Sequence, residues 1–275
     1  MDINSSTISL RISLVDLNDL KPHEEIIEQA LADLAKAIVD QNEVRDPVIV
    51  DKESLVILDG MHRYNALKRL GCRLAPACLV DYEDERISVG SWFRCFNAPN
   101  PAALAVEALD ALNQRCERVV IGSAENDLSK SAILTVPYGF QLVSEMGKAS
   151  KARLAVGLER YISARGFGCE YAADNTRIQP NLKANMIIPV PVFSKAEIKE
   201  TATLGRLLPH KVTRHIIPSR PLRIDVPLNL LSGKSGEEAN EKLEQLLSSR
   251  RVIMKPPGSI VDGRRYQEEL LLFEA

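Results

Sequence analysis

The sequence is poor in aromatics, poor in histidine and close to balanced in charge. Aromatic residues make up 5% of the 275 positions, and Trp92 is the only tryptophan. The formal net charge is -2, so no global basic surplus exists to hold nucleic acid by its phosphates. No apolar run approaches the ~18 residues of a membrane-spanning helix. Met1 to Ser6 is polar and lacks the apolar core of a signal peptide. The expectation is a cytoplasmic protein that engages no membrane. Five cysteines, Cys72, Cys78, Cys95, Cys116 and Cys169, include no Cys-x-x-Cys pair. An odd count at irregular spacing argues against a disulfide framework and a zinc site, and leaves reduced, mostly buried thiols. The remainder is ordinary for a globular chain, with 45% hydrophobic and 26% charged residues. The length suits one large or two ordinary domains.

One stretch organises the chain: Leu58-Asp59-Gly60-Met61-His62-Arg63-Tyr64-Asn65-Ala66-Leu67-Lys68-Arg69-Leu70-Gly71. Ser54 to Leu58 is a short apolar run suited to a buried strand. Gly60 permits a turn geometry that a side chain would obstruct. Tyr64, Leu67 and Leu70 then recur at helical spacing, and Gly71 stands where a helix-ending glycine belongs. A strand, tight turn and helix N-terminus together make a site for phosphate. Asp59, His62 and Arg63 crowd that helix start, and Asp59 is the candidate metal ligand.

The four histidines, His23, His62, His210 and His215, all fall in polar stretches beside other reactive residues. A strand is expected from Thr7 to Val15. A helix should start near Pro22 and run to about Gln41, with Ile27, Leu31, Leu34 and Ile38 on one face. Pro47 to Val50 and Pro76 to Tyr82 read as further strands, giving a compact α/β unit with parallel neighbours joined through helices. Ala102 to Cys116 and Ser150 to Arg165 read as helices. Val119 to Gly122, Ala132 to Val136, Cys169 to Ala173 and Met186 to Phe193 read as strands. Ser194 with Glu197 forms a capping box for a short helix ending near Gly205. His210-Lys211-Val212-Thr213-Arg214-His215 is a second chemically dense stretch. Ser235 to Leu247 reads as a helix, and Arg264 to Phe273 as a closing strand or helix.

These segments together resemble the ParB/sulfiredoxin superfamily. The resemblance is carried by Leu20-Lys21-Pro22-His23-Glu24, Leu34-Ala35-Lys36-Ala37-Ile38, Asp46-Pro47-Val48-Ile49-Val50 and the Asp59-Gly60-Met61-His62-Arg63 box. Within it the chain is similar to the free L-serine kinases. Gly90-Ser91-Trp92-Phe93-Arg94, Val190-Pro191-Val192-Phe193-Ser194-Lys195 and the His210–His215 stretch extend the likeness over most of the chain.

The resemblance implies a mixed α/β fold. A ParB/sulfiredoxin-like nucleotide-binding domain would span 1–82 and a C-terminal α/β substrate domain 83–275, with the active site in the cleft between them. It also implies a reaction, in which ATP or ADP gives its terminal phosphoryl group to the hydroxyl of free L-serine. Glu24 matches the catalytic carboxylate, although a glutamate near a helix start is also favoured by the helix dipole alone. Asp59, Gly60, Met61, His62 and Arg63 match the box that binds the donor phosphates, with Mg²⁺ expected. Trp92, Lys211, Thr213, Arg214 and His215 match the substrate-binding positions, and a planar guanidinium at Arg214 suits a carboxylate.

The family box commonly reads Asp-Gly-His-His-Arg, and here Met61 takes its third position. The same methionine disfavours sulfiredoxin chemistry, which needs a cysteine nucleophile there. A ParB-like nucleotide-binding DNA-binding or regulatory protein is the alternative. It is disfavoured by His62 in place of a second arginine, by the weakly acidic balance, and by the lack of a clear recognition helix.

Overall fold

The computed structural model describes residues 1–4, 8–120, 131–135, 138–173, 184–233 and 236–274. The chain forms two compact units. The first takes Met1–Ser88, Lys195–Leu207 and His215–Ala275, and the second Val89–Ser194 and Leu208–Arg214.

The first unit opens with β1 (Asp2–Asn4), β2 (Ser9–Asp16), α1 (Glu28–Gln41), β3 (Glu43–Val44), β4 (Val48–Asp51), β5 (Ile57–Asp59), α2 (Met61–Arg69) and β6 (Leu74–Val80). A five-stranded sheet orders these as β1-β2-β6-β4-β5. Parallel pairing is confined to β4 and β6, the other pairs of this sheet being antiparallel. Chain lengths explain the split. The few residues between β4 and β5 permit only a hairpin, whereas β5 and α2 give the crossover that a parallel return needs. Alternation along β2 buries Leu10, Ile12 and Leu14, while β4, covered on both faces, is buried throughout.

Helix α1 starts at Glu28 rather than near Pro22. The cause lies in Lys21 to His23, which run extended beside the approach to β5. The Lys21 N–H donates to Leu55 O at 2.9 Å, and the Ile57 N–H donates to Lys21 O at 3.0 Å. A backbone so paired cannot also open a helix. Leu31, Ala35 and Ile38 form the buried face of α1, and Asn42 ends it in the left-handed region.

The chain passes to the second unit through β7 (Ser88–Gly90). There β8 (Trp92–Phe96), α3 (Pro101–Ala111), β9 (Cys116–Val120), β10 (Ser131–Thr135), β11 (Tyr138–Leu142), α4 (Lys148–Ser163), β12 (Glu170–Ala173) and β13 (Met186–Ile188) follow. Their six-stranded sheet is antiparallel, ordered β12-β8-β13-β10-β11-β9. Cys116, expected to close α3, instead opens a strand. Pro189 and Pro191 end β13 early, since proline cannot donate to a ladder. Thr7, residues 121–122, Val136 and Ser235 at the expected element ends lie outside the described residues.

The chain returns through α5 (Lys195–Thr203) and β14 (Arg214–Ile216). Then come β15 (Arg220–Leu222), β16 (Val226–Pro227), α6 (Leu228–Leu231), α7 (Gly236–Ser248), β17 (Arg251–Lys255), β18 (Ile260–Val261), β19 (Arg264–Arg265) and β20 (Leu270–Glu274). The sequence division at 82/83 assigns this closing part to the second domain, but it packs with the first unit. β16 pairs with β3, and Asn240 of α7 reads the backbone of β2. Its side chain accepts from the Leu14 N–H at 2.7 Å and donates to Leu14 O at 3.1 Å. The Arg264–Phe273 segment holds β19 and the start of β20, separated by a bend, with β20 between β15 and β17.

Candidate active site

The turn between β5 and α2 depends on Gly60. Its φ is 101°, and a Cβ there would come within 3.0 Å of Val48 Cγ1. α2 begins at once, with the Tyr64 N–H donating to Gly60 O at 2.9 Å. At the far end Gly71 N–H meets Lys68 O and Cys72 N–H meets Leu67 O, the paired bonds of a glycine-terminated helix. Met61 is buried, so at this position the chain offers a backbone N–H and no side chain to a ligand. The other box residues, Asp59, His62 and Arg63, are half-buried.

The segment carrying Glu24 is fixed against this turn from both sides. Its start is zipped to the approach of β5 through Lys21. His23 is buried, and its Nδ1–H donates to Ile57 O at 2.7 Å. At its end the Ile27 N–H, ahead of α1, donates to His62 Nε2 at 3.0 Å. Helix starts leave such donors unpaired, and Ile27 has no side-chain oxygen to cap its own helix. His62 is thus a neutral acceptor at Nε2, and it ties the box to the Glu24 segment.

Below the box lies a buried cluster within the same unit. His215 Nε2 is 2.7 Å from Tyr82 Oη. His23 and His215 meet edge to face at 5.7 Å. Burial drives both below the ordinary imidazole range, His215 to about 3. Two neutral histidines therefore pack against each other, and His23 covers the Ile57 carbonyl of the strand that ends in Asp59. The sequence reading grouped His215 with the 211–214 strip. The unit boundary falls between Arg214 and His215, and His215 belongs with the box strand.

Asp59 is held by cations. Its Oδ2 accepts from Arg220 Nη1 at 2.5 Å and stands 3.9 Å from Arg63 Nη2. Arg220 is 2% exposed, donates through Nε to Glu268 at 2.7 Å and through Nη2 to His215 O at 3.0 Å. Burial opposes its charge, but Asp59 and Glu268 outweigh burial and raise its pKa. One oxygen of Asp59 is thus engaged by Arg220, with the Arg63 guanidinium nearby. Among the described residues no group of three His, Cys, Asp or Glu gathers as a metal site.

The second unit holds the remaining expected residues. Lys211 Nζ lies 5.5 Å from the Trp92 ring centre, and the Arg214 guanidinium 5.3 Å from it, both within cation–π range. Thr213 is buried between them in sequence. The strip is held from beneath by fully buried Arg94. It donates to His210 O at 2.8 Å and to Glu159 Oε2 at 2.6 Å. Glu159 also accepts from Tyr171 at 2.6 Å. Burial alone would raise the Glu159 carboxyl, but bonds from His210 and Tyr171 and the charge of Arg94 bring it down to about 2.

Residues 2–89 match the ParB N-terminal domain. A ParB-like protein of Sulfolobus acidocaldarius is 38% identical over 206 residues, covering 75% of this chain and 90% of that protein. The chain belongs to the ParB-like family. An ADP-dependent L-serine kinase of Thermococcus kodakarensis is 26% identical over 229 residues, covering 79% of this ParB-like chain and 91% of the kinase. A free serine kinase solved in complex with AMP superposes with a TM-score of 0.68 at 21% identity, covering 84% of this chain and 97% of that one. That likeness is one of fold.

Several residues that shape the ParB-like site escaped the sequence reading: Arg220, Glu268 and Tyr82 in the first unit, Arg94, Glu159 and Tyr171 in the second. Arg220 carried no local signal, since its partner Asp59 is 161 positions away. The five cysteines are free thiols, but only Cys78 and Cys95 are buried, Cys72, Cys116 and Cys169 being half-exposed; burial pushes the Cys78 thiol up to about 12.

Proposed function

We propose that this chain phosphorylates the hydroxyl of free L-serine, with ATP or ADP as donor and Glu24 as general base. The observation that carries the reading is the fixing of the Glu24 segment to the Asp59–Arg63 box, through Lys21 and His23 on one side and His62 on the other. Relatives named ADP-dependent and ATP-dependent L-serine kinases support the reaction class. The free serine kinase solved in complex with AMP supports a nucleotide as the donor.

In this reading the donor's terminal phosphates lie at the start of α2, against the backbone N–H groups of the first turn and Arg63. Glu24 accepts the serine hydroxyl proton as the new O–P bond forms and the donor's terminal bridging P–O bond breaks. The products are O-phospho-L-serine and the nucleotide shortened by one phosphate. A positioned base contributes typically ~10² to 10⁴-fold to such a step. Charge neutralisation and alignment supply the rest. Arg214 takes the serine carboxylate through its planar fork, with Trp92 walling the amino acid and Lys211 and Thr213 beside it. Magnesium comes with the donor, held by its phosphate oxygens, and no protein ligand is assigned to it.

The test is product analysis with serine, threonine and homoserine, each with ATP and with ADP. The reading expects phosphoserine from at least one donor, with serine preferred. Salt-sensitive retention on DNA, with no phosphorylated product, would favour the DNA-binding alternative.

A further inference from the structure

We infer that Arg220 is a positioning residue for the donor, a buried counter-charge that lets Asp59 stand beside a polyphosphate without repelling it. This rests on the box being the donor site, as proposed above. The problem it solves is electrostatic. A carboxylate is an awkward neighbour for a nucleotide's phosphates, because two like charges a few ångströms apart repel strongly away from bulk water. Asp59 sits immediately before the glycine turn, where those phosphates would lie.

Arg220 addresses this from inside the protein. Its guanidinium is buried and fixed on three sides, by Asp59, by Glu268 and by the His215 carbonyl. Glu268 is itself buried. The side chain therefore cannot swing out to become a phosphate ligand without leaving a buried carboxylate unpaired, which is costly. Arg63 differs: it is half-buried and stands 3.9 Å from both Asp59 and Asp46, beyond hydrogen-bond length. The two arginines divide the work. Arg220 neutralises and orients Asp59, and Arg63 stays near enough to the turn to meet phosphate oxygens. The bond from Nη2 to His215 O extends the same hold to the buried histidine cluster, so one cation ties Asp59 to that cluster.

The experiment measures binding of adenosine, AMP and ADP by calorimetry, for wild type, Arg220→Met, Arg220→Lys and the double variant Asp59→Asn/Arg220→Met. No turnover is needed, so a failure of the kinase reading would show separately, as nucleotide binding without phosphoserine. Arg220→Met should weaken ADP at least tenfold, AMP less, and adenosine less than twofold, because the penalty scales with phosphate charge. Removing the Asp59 charge in the double variant should restore most of the ADP affinity. Arg220→Lys keeps the charge without the three-way fork and should lose an intermediate factor of about three to ten on the same gradient. If Arg220→Met does not fold, the lysine variant with and without Asp59→Asn decides by that gradient and rescue. Equal losses for all three ligands, or no recovery on removing Asp59, would overturn the inference and reduce Arg220 to a structural support.

Discussion

His62 Nε2 accepts the backbone N–H of Ile27 at 3.0 Å, so the phosphate box caps the segment that delivers Glu24. A residue expected to bind phosphate thereby acquires a second task, holding the start of α1. His62→Ala should cost about 0.5–2 kcal/mol in denaturant unfolding, the scale of a lost helix cap. It should also lower kcat more than it raises the donor KM, because Glu24 loses its far anchor. A variant with unchanged stability and kcat would show that the cap contributes nothing.

The buried histidine pair predicts a particular acid sensitivity. Unfolded histidine titrates near 6.5, while His23 and His215 in the folded chain are pushed lower, His215 to about 3. Between those values the unfolded chain binds more protons, so stability falls as pH drops below about 6.5, by up to about 1.4 kcal/mol per pH unit for each proton. Glu159 and Asp84, both held at about 2, lose their contributions only below the ordinary carboxylate range. Unfolding measured between pH 7 and 5 therefore isolates the imidazoles. His215→Asn should flatten that slope by about one proton, and an unchanged slope would contradict the neutral assignment.

Gly60 should tolerate no side chain. Alanine there meets both a left-handed φ and a 3.0 Å approach to Val48. Gly60→Ala should lose about 1–3 kcal/mol of stability and weaken nucleotide binding. Wild-type affinity in a folded Gly60→Ala protein would remove the turn from the donor site.

Trp92 gives the second unit its own reporter. It is the chain's single tryptophan and lies near both Lys211 and Arg214. Serine or phosphoserine binding should change its fluorescence. Arg214→Lys should raise the serine KM about tenfold, the scale of one charge-assisted bond, with nucleotide affinity unchanged. A fluorescence signal indifferent to serine would argue against the carboxylate role of Arg214.

The sequence made some of this architecture legible and hid the rest for physical reasons. The strand, glycine turn and α2 could be read because Gly60, the Tyr64 and Leu67 spacing and Gly71 are local signals. The β2 and α7 patterns were equally plain in their burial periodicity. Pro22 misled, since it suits a helix start as well as an extended segment, and the pairing of Lys21 beside β5 decided between them. His215 follows Arg214 directly in sequence, yet the boundary between the two units falls between them. Arg220 and Arg94 are fully buried cations, defined by carboxylates 161 and 65 positions away. No window of sequence contains both partners, so neither could be found from spacing.

The account is tested most directly by comparing phosphoserine formation in wild type and Glu24→Gln, at saturating serine and with nucleotide occupancy measured in both. The wild-type chain should accumulate O-phospho-L-serine from ATP or ADP, and Glu24→Gln should bind the nucleotide normally yet turn over at least about a hundredfold more slowly. Equal rates in the two proteins, or no phosphoserine from the nucleotide-loaded wild type with either donor, would contradict it.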